Sequence, residues 1–336
     1  MNIDLAKELI NTNYQGAASD NNLIFNTEGD VPFIQVEGFK NMSFIQHGFS
    51  TRLGGVSTGI YESLNLGLKL DDERDKVLEN YRRLGKSMGI DHTRISAPDQ
   101  VHKSNILVVT EEDAGDGISR DLSHFEIDAQ ITNVRNVPLI VYTADCVPIL
   151  LADPVSRVIG SVHAGWRGTV DGIAAKTVEK MTETFGCLPE NIHAIIGPSI
   201  GPDNYEVDES VIKAVIDNPY IDTSSDNVEF APSMNDDFRY IIHAGTYIRD
   251  NMPENYKGIT QVRQGAPYEI FRSVKMLDKY MLNLWNLNEL ILVNSGLKVS
   301  NIYQTKLCSM KYHDLFFSHR YTNGNRGLQA GVIVIK

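Results

Sequence analysis

PLIVYTADCVPILLADPVSRVIGSVHAGWRG, residues 138–168, decides how this chain is read. Two apolar runs, Pro138–Thr143 and Pro148–Ala152, flank the polar Ala144-Asp145-Cys146, and the Asp153-Pro154 turn leads to a third, Val158–His163. Short runs rich in Val, Ile and Leu and bounded by turn residues read as buried strands. The third ends in His163-Ala-Gly-Trp-Arg-Gly168, and Val170, Ile173, Ala174, Val178, Met181 and Phe185 then recur at helical spacing, so a helix follows directly. Hairpin-like spacings beside strand–helix alternation predict an α/β protein of the α+β type, with layered mixed β-sheets covered by helices and not a doubly wound sheet.

Outward from this stretch, Val31–Val36, Met42–Phe49, Ile106–Thr110, Ile192–Ile196, Ile302–Thr305 and Gly331–Ile335 read as further strands. Asp71 and Asp72 can cap a helix carrying Val77, Leu78, Tyr81, Leu84 and Met88, and Leu287–Asn294 reads as a helix that stops at Gly296. Residues 1–30 read as an N-terminal extension, an amphipathic segment (Ile3, Leu5, Leu9, Ile10) followed by a linker. Residues 31–336 then form one domain, in which Asp217–Lys275, broken by Pro219, Pro232, Pro253 and Pro267, is an insertion or an elaborated edge.

Composition narrows the function classes. The chain has 336 residues, 42% of them hydrophobic and 22% charged, enough for a sizeable core. Its net charge of −12 argues against a nucleic-acid binder, which needs a basic face, while leaving room for a local anion site. Cys146, Cys187 and Cys308 are too few and too scattered for a disulfide framework. Asp4, Lys7 and Glu8 sit where a secretory signal keeps its apolar stretch, and runs such as Leu139–Tyr142 are too short to span a bilayer. The expectation is a soluble cytoplasmic protein without a membrane partner.

Several residues carry chemistry. Arg52 with the amides of Gly54 and Gly55 suits a phosphate, or is a glycine turn beside a solvated arginine. His102, Cys146 and His163 form a three-ligand zinc set with a fourth position open, although their separations are not diagnostic and structural histidines are common. Cys146 and His163 equally permit a nucleophile–base pair, with Asp145 or Asp128 orienting the imidazole. Trp166-Arg167 either stacks on a planar ligand or covers a helix start, Cys187 reads as a packing residue, and Cys308 as core filler or pocket wall. The P-C-x-x-C element of cytidine-type zinc deaminases is absent, and nine histidines without a His-x-His give poor support to classical laccase chemistry.

Taken together, HGFSTRLGGVSTGIYESLNLGL (47–68), QVH (100–102), DAQIT (128–132), TADCVPILLAD (143–153), VHAGWRGTV (162–170), GPSIGPDNYEV (197–207) and LFFSHR (315–320) resemble the YfiH/laccase-domain family. Its members are variously named purine nucleoside phosphorylase, polyphenol oxidase and peptidoglycan editing factor. Residues 1–30 and the stretch around 217–275 fall outside the resemblance. So do details of the C-terminal motif, where Asn323–Gly327 replaces a Thr-Gly-Arg turn, and Asn204 stands at a common cysteine position.

The resemblance implies a fold related to the cytotoxic-necrotizing-factor deamidases. It also implies a metal, usually zinc with copper as the alternative, on His102, Cys146 and His163. The implied activity is phosphorolysis of adenosine, inosine, guanosine and methylthioadenosine, with hydrolytic deamination of adenosine. Purine nucleosides and phosphate are then the ligands of a monomer or small homo-oligomer that needs no organic cofactor. On this reading Asp145 or a nearby imidazole assists proton transfer, Arg52, Gly54 and Gly55 hold phosphate, and Asn65 and Tyr205 contact ribose or base. The rivals are a Cys146/His163 thiol hydrolase, a copper-dependent phenol oxidase, and a non-enzymatic ligand-binding role in peptidoglycan editing.

Overall fold

Side-chain alternation sorts the strands into layers. The computed structural model describes residues 23–221, 228–232, 238–243, 267–274 and 279–336. A first sheet, antiparallel throughout, runs β1 (Leu23–Asn26), β2 (Phe33–Val36), β3 (Ile45–Ser50), β16 (Gln329–Ile335), β6 (Leu139–Thr143). A second, mixed sheet runs β15 (Ile302–Gln304), β9 (His193–Ile196), β7 (Val147–Asp153), β8 (Val158–Ala164), β5 (Ala129–Thr132), β4 (Ile106–Val108), with only its two outer pairs parallel.

Successive residues of a strand face opposite sides, and here both sides are buried. Leu139, Val141, Phe49 and Ile333 of the first sheet meet Leu150, Ala152, Ile159 and Ile195 of the second. The alternate residues Ile140 and Val332 pack on helix α2 (Arg74–Met88) through Val77, Tyr81 and Leu84. Those of the second sheet, Ile149, Leu151 and Val162, pack on α4 (Ile173–Phe185) and α6 (Leu284–Asn294). The result is a helix–sheet–sheet–helix stack, which explains why the central strands read as continuous apolar runs. Between the sheets the ring of Phe49 leaves no room for a neighbour: a Cβ on Gly197 would lie 2.3 Å from it.

Four details differ from the sequence reading. The helix after His163 is two: α3 (Trp166–Val170) and α4, separated at Gly172, whose φ of 74° is left-handed. Helix α2 starts after Glu73, and Asp72 accepts the Glu73 N–H at 2.9 Å without capping the helix. Part of the expected N-terminal linker, Leu23–Asn26, is the edge strand β1, which pairs with β2; the segment with Ile3, Leu5, Leu9 and Ile10 lies outside the described residues. The proline-broken stretch contributes β11 (Val228–Pro232), β12 (Phe238–His243) and β13 (Pro267–Val274) to a third, antiparallel sheet with β14 (Lys279–Leu282) and β10 (Glu206–Asp208). Helix α1 (Glu37–Lys40) joins β2 to β3, and α5 (Glu209–Ile216) follows β10. Among the described residues no helix is long and apolar enough to cross a membrane.

One buried histidine ties stability to pH. His47, 1% exposed in β3, accepts the Val36 N–H at Nε2 over 3.0 Å. Burial, assisted by Lys336 and Lys40, holds its pKa down at about 3 against an ordinary 6.5. Below pH 6.5 the unfolded chain takes up a proton that the folded chain refuses, so stability falls as pH drops toward 3. Urea unfolding at pH 7 and pH 5 should differ by about 2 kcal/mol through this residue. In His47→Gln, whose carbonyl can take the same N–H without titrating, that component should vanish.

Candidate metal centre

The site is assembled from three loops at one end of the second sheet. Antiparallel pairing sets Pro148 opposite His163, so Cys146, just ahead of β7, lies beside the end of β8. Gln100 behaves as a one-residue strand beside β6: its Nε2 donates to the Tyr142 carbonyl at 2.8 Å and its Oε1 accepts the Tyr142 N–H at 2.7 Å. This brings the 100–102 turn against the Ala144-Asp145-Cys146 loop.

Asp128, immediately before β5, does the rest. Its carboxylate accepts the N–H groups of Val101, His102 and Lys103 at 3.1, 3.0 and 2.8 Å, and pairs with Nδ1 of His163 at 2.7 Å. Those converging amides hold His102 at a φ of 62°, a conformation non-glycine residues rarely adopt. Burial works to raise the Asp128 pKa, but the His163 and backbone hydrogen bonds outweigh it and hold the group below its usual value. A Cβ on Gly165 would stand 3.1 Å from the Cys146 sulfur and 3.0 Å from the His102 ring, so a larger residue there would push both ligand side chains by a few tenths of an ångström.

The ligand atoms of His102, Cys146 and His163 lie within 4.8 Å of one another, with Cys146 Sγ 3.7 Å from His102 Nε2. A tetrahedral ion with bonds of about 2.0–2.3 Å needs its ligands about 3.3–3.8 Å apart, so a small contraction closes the set. Asp128 occupies Nδ1 of His163 and leaves Nε2 as its ligand atom, the usual orientation by an outer carboxylate. Two imidazoles and a thiolate can therefore coordinate a metal ion and leave a fourth position for water or substrate. Burial would raise the Cys146 thiol, yet His163 and His102 bring it down to about 6. Burial likewise opposes charge on His163, yet Cys146 and Asp128 raise it to about 9.

A cleft of about 380 Å³ opens over this cluster. Leu68, Pro98, Leu122, Tyr142 and Leu328 give it apolar walls, and Lys69, Arg74, Arg120 and Arg326 give it cationic ones. Other residues singled out in the sequence are placed differently. Arg52 spends its guanidinium on the carbonyls of Glu62 (2.9 and 2.6 Å) and His313 (3.0 Å) and lies over Phe317. Gly54 and Gly55 line a separate cleft with Asp30, Glu62 and Arg83, and the Gly55 amide donates to Ser63 Oγ. The expected phosphate cradle lies outside the cleft over the metal cluster, and the Arg52 guanidinium and the Gly55 amide are already bonded.

Asn65 is fully buried, accepting the Gly67 and Leu328 amides and donating to Asp72. Asp145 accepts Ser309 Oγ and the Arg320 N–H, both at 2.6 Å, so both oxygens are engaged in tying the C-terminal segment to the site. Arg167 lies over the Trp166 ring at 4.3 Å, and neither lines the cleft. Arg320 lies over the ring of Tyr205, and burial first, then the nearby Cys146, raises the Tyr205 pKa. Cys187 is core; Cys308 accepts the Gly201 amide at 3.1 Å and holds a loop. Sequence reasoning gave Asp128 only a secondary place and passed over Gln100 and Arg326. A carboxylate at the head of a strand within DAQIT was the available signal.

These features define an α/β protein with a candidate metal site. The family model described as multi-copper polyphenol oxidoreductase laccase matches residues 46–254 and 252–336, so the chain belongs to this YfiH/laccase-domain family. The matched residues run into the stretch around 217–275, which the quoted motifs had left outside. The chain is 32% identical over 290 residues to the purine nucleoside phosphorylase YlmD of Bacillus subtilis, covering 86% of this chain and 88% of that relative. It is 28% identical over 310 residues to a purine nucleoside phosphorylase of Bacteroides thetaiotaomicron, covering 91% and 98%. The solved structure of the Bacillus licheniformis protein YfiH is similar in fold, with a TM-score of 0.73 at 28% identity over 93% of this chain and 99% of that one. YlmD from Geobacillus stearothermophilus gives 0.73 at 29% identity over 94% and 99%.

Asp128→Asn replaces an all-acceptor carboxylate with an amide that cannot accept four hydrogen bonds. Metal affinity, measured by competition with a chromophoric chelator, should fall about 10- to 100-fold. The unfolding free energy should fall by about 1–3 kcal/mol.

Proposed function

We propose that the protein is a zinc-dependent purine nucleoside phosphorylase acting on adenosine, inosine, guanosine and methylthioadenosine, with hydrolytic deamination of adenosine as a second activity. The observation that carries this reading is the compact His102–Cys146–His163 cluster opening into a cleft with apolar walls and cationic side chains. Such a cleft suits a planar base on one side and an oxyanion on the other. The names of the relatives from Bacillus subtilis and Bacteroides thetaiotaomicron support it.

His102, Cys146 and His163 would hold the zinc. When bound, it supplies a Lewis acid and lowers the pKa of a coordinated water toward neutrality. The protein's own residues do the positioning. Asp128 keeps the His163 proton on Nδ1, presenting Nε2 as a lone-pair donor. Tyr142, Leu122 and Leu328 offer flat and apolar contact to a purine and exclude water from it. Gln100 is committed to the Tyr142 backbone, so it shapes the cleft and does not read the base. One thiolate with two imidazoles and an open position suits a catalytic zinc, and metal analysis of the purified protein separates zinc from copper, which takes the same donors. The activity is placed in the cytoplasm, on soluble small molecules, in a monomer or small homo-oligomer.

One observation favours a second reading. The ligand atoms of Cys146 and His163 lie within 4.8 Å of each other, and despite burial the imidazoles lower the thiol while Cys146 and Asp128 raise His163, so the two also form a thiolate–imidazolium pair, as a thiol hydrolase would use. Chelation separates the two. Purified protein should contain about one zinc per chain. It should release adenine from adenosine only when phosphate is present, and form inosine without it. Removing the metal, or substituting His102→Ala or Cys146→Ala, should lower kcat/KM at least about 100-fold. Full activity in the metal-free protein would transfer the role to the Cys146 nucleophile.

A further inference from the structure

Phosphorolysis needs a holder for phosphate, and Arg52, Gly54 and Gly55 all lie outside the cleft over the metal cluster. Four cationic side chains line the cleft over the metal cluster. Lys69 is ion-paired with Asp99, Arg120 donates to the Glu112 carbonyl at 2.6 Å, and Arg74 is exposed at the start of α2. Arg326 differs from all three. It is half-buried, its Nε is shut off from solvent without a hydrogen-bond partner, and no carboxylate pairs with it among the described residues. An N–H of a charged group is costly to bury unbonded, and an oxyanion in the cleft that Arg326 lines is what would neutralise the guanidinium there.

The backbone around Arg326 is held on both sides. Gly327 lies against the Phe317 ring, where a Cβ would approach within 2.7 Å. Leu328 donates its N–H to Asn65 Oδ1 at 3.0 Å, and its carbonyl accepts the Leu66 N–H at 3.0 Å. The turn that departs from the family's Thr-Gly-Arg pattern thus delivers a pre-positioned guanidinium to the same cleft as Cys146 and His163.

We propose that Arg326 is the oxyanion-binding residue of this cleft and holds inorganic phosphate against the bound nucleoside, an inference that rests on the phosphorylase reading. A phosphate oxygen forms a bond to the anomeric carbon of the ribose. The bond from that carbon to the purine nitrogen breaks, its electron pair leaves with the purine, and the proton of hydrogen phosphate passes to the base. Ribose 1-phosphate and free purine result, with no oxidant or further reactant. Arg326 binds the anion and does not transfer the proton.

The test uses the zinc-loaded full chain. Arg326→Gln should raise the KM for phosphate about 10- to 100-fold while the nucleoside KM stays within about twofold, and Arg326→Lys should recover part of the loss. Arg83→Gln, an equal change of charge at the separate cleft, should leave the phosphate KM unaltered. An unchanged phosphate KM in Arg326→Gln, equal rises for both substrates, or the same effect from Arg83→Gln would overturn the assignment. Equilibrium dialysis with labelled inorganic phosphate separates this from the broader reading. If wild-type protein cleaves no nucleoside, the phosphorylase reading fails. Phosphate binding lost in Arg326→Gln but kept in Arg83→Gln would still establish the anion site, and equal binding by wild type and Arg326→Gln would end it.

Discussion

The carboxylate of Asp128 is the constraint on which the site depends. One side chain at the head of β5 gathers three consecutive amides of the 101–103 turn and the Nδ1 of His163. Two of the three ligand side chains therefore owe their position to a single anion, and their relative placement cannot drift independently. The left-handed His102 is tolerable only because three donors point at one acceptor. The third ligand, Cys146, is placed by strand register, through the pairing of β7 with β8. A rigid sheet supplies one coordinate of the site and a buried charge supplies the others.

The rest of the molecule can be seen as support for that arrangement. Stacking two sheets with both faces covered fixes the strand ends against which the loops are drawn. Asp145, caught between Ser309 and Arg320, joins the segment that precedes β16 to the loop that carries Cys146. Gln100 makes the corresponding tie from the first sheet. Each of these polar side chains is bonded to backbone or hydroxyl groups, which makes them parts of the frame that shapes the cleft.

The central strands were legible because burial on both faces leaves long apolar runs, and β6, β7 and β8 fall within a residue or two of where Pro138–Thr143, Pro148–Ala152 and Val158–His163 placed them. Sequence spacing alone did not bring His102 to Cys146 and His163, since the contact is made through Gln100 and Asp128 and has no local signature; the family motifs supplied it. The helix break at Gly172 was missed because the apolar period runs through it undisturbed. β11 to β13 were missed because prolines and polar residues hide a short antiparallel sheet from periodicity. The surroundings of Arg52 were hidden for another reason: a sequence shows which donors exist but not which carbonyls take them, here those of Glu62 and His313.

The position of β16 carries a consequence for biosynthesis. This strand, residues 329–335, lies inside the first sheet between β3 (Ile45–Ser50) and β6 (Leu139–Thr143), both of which are made well before it. Until it emerges, β3 and β6 have no common neighbour, and the apolar faces of Phe49, Leu139 and Val141 wait without their partner Ile333. Pairings so distant along the chain form slowly and leave sticky edges exposed in the meantime. A nascent chain therefore keeps those apolar faces uncovered until residues 329–335 have emerged, and a chain without them would leave β3 and β6 with unpaired edges.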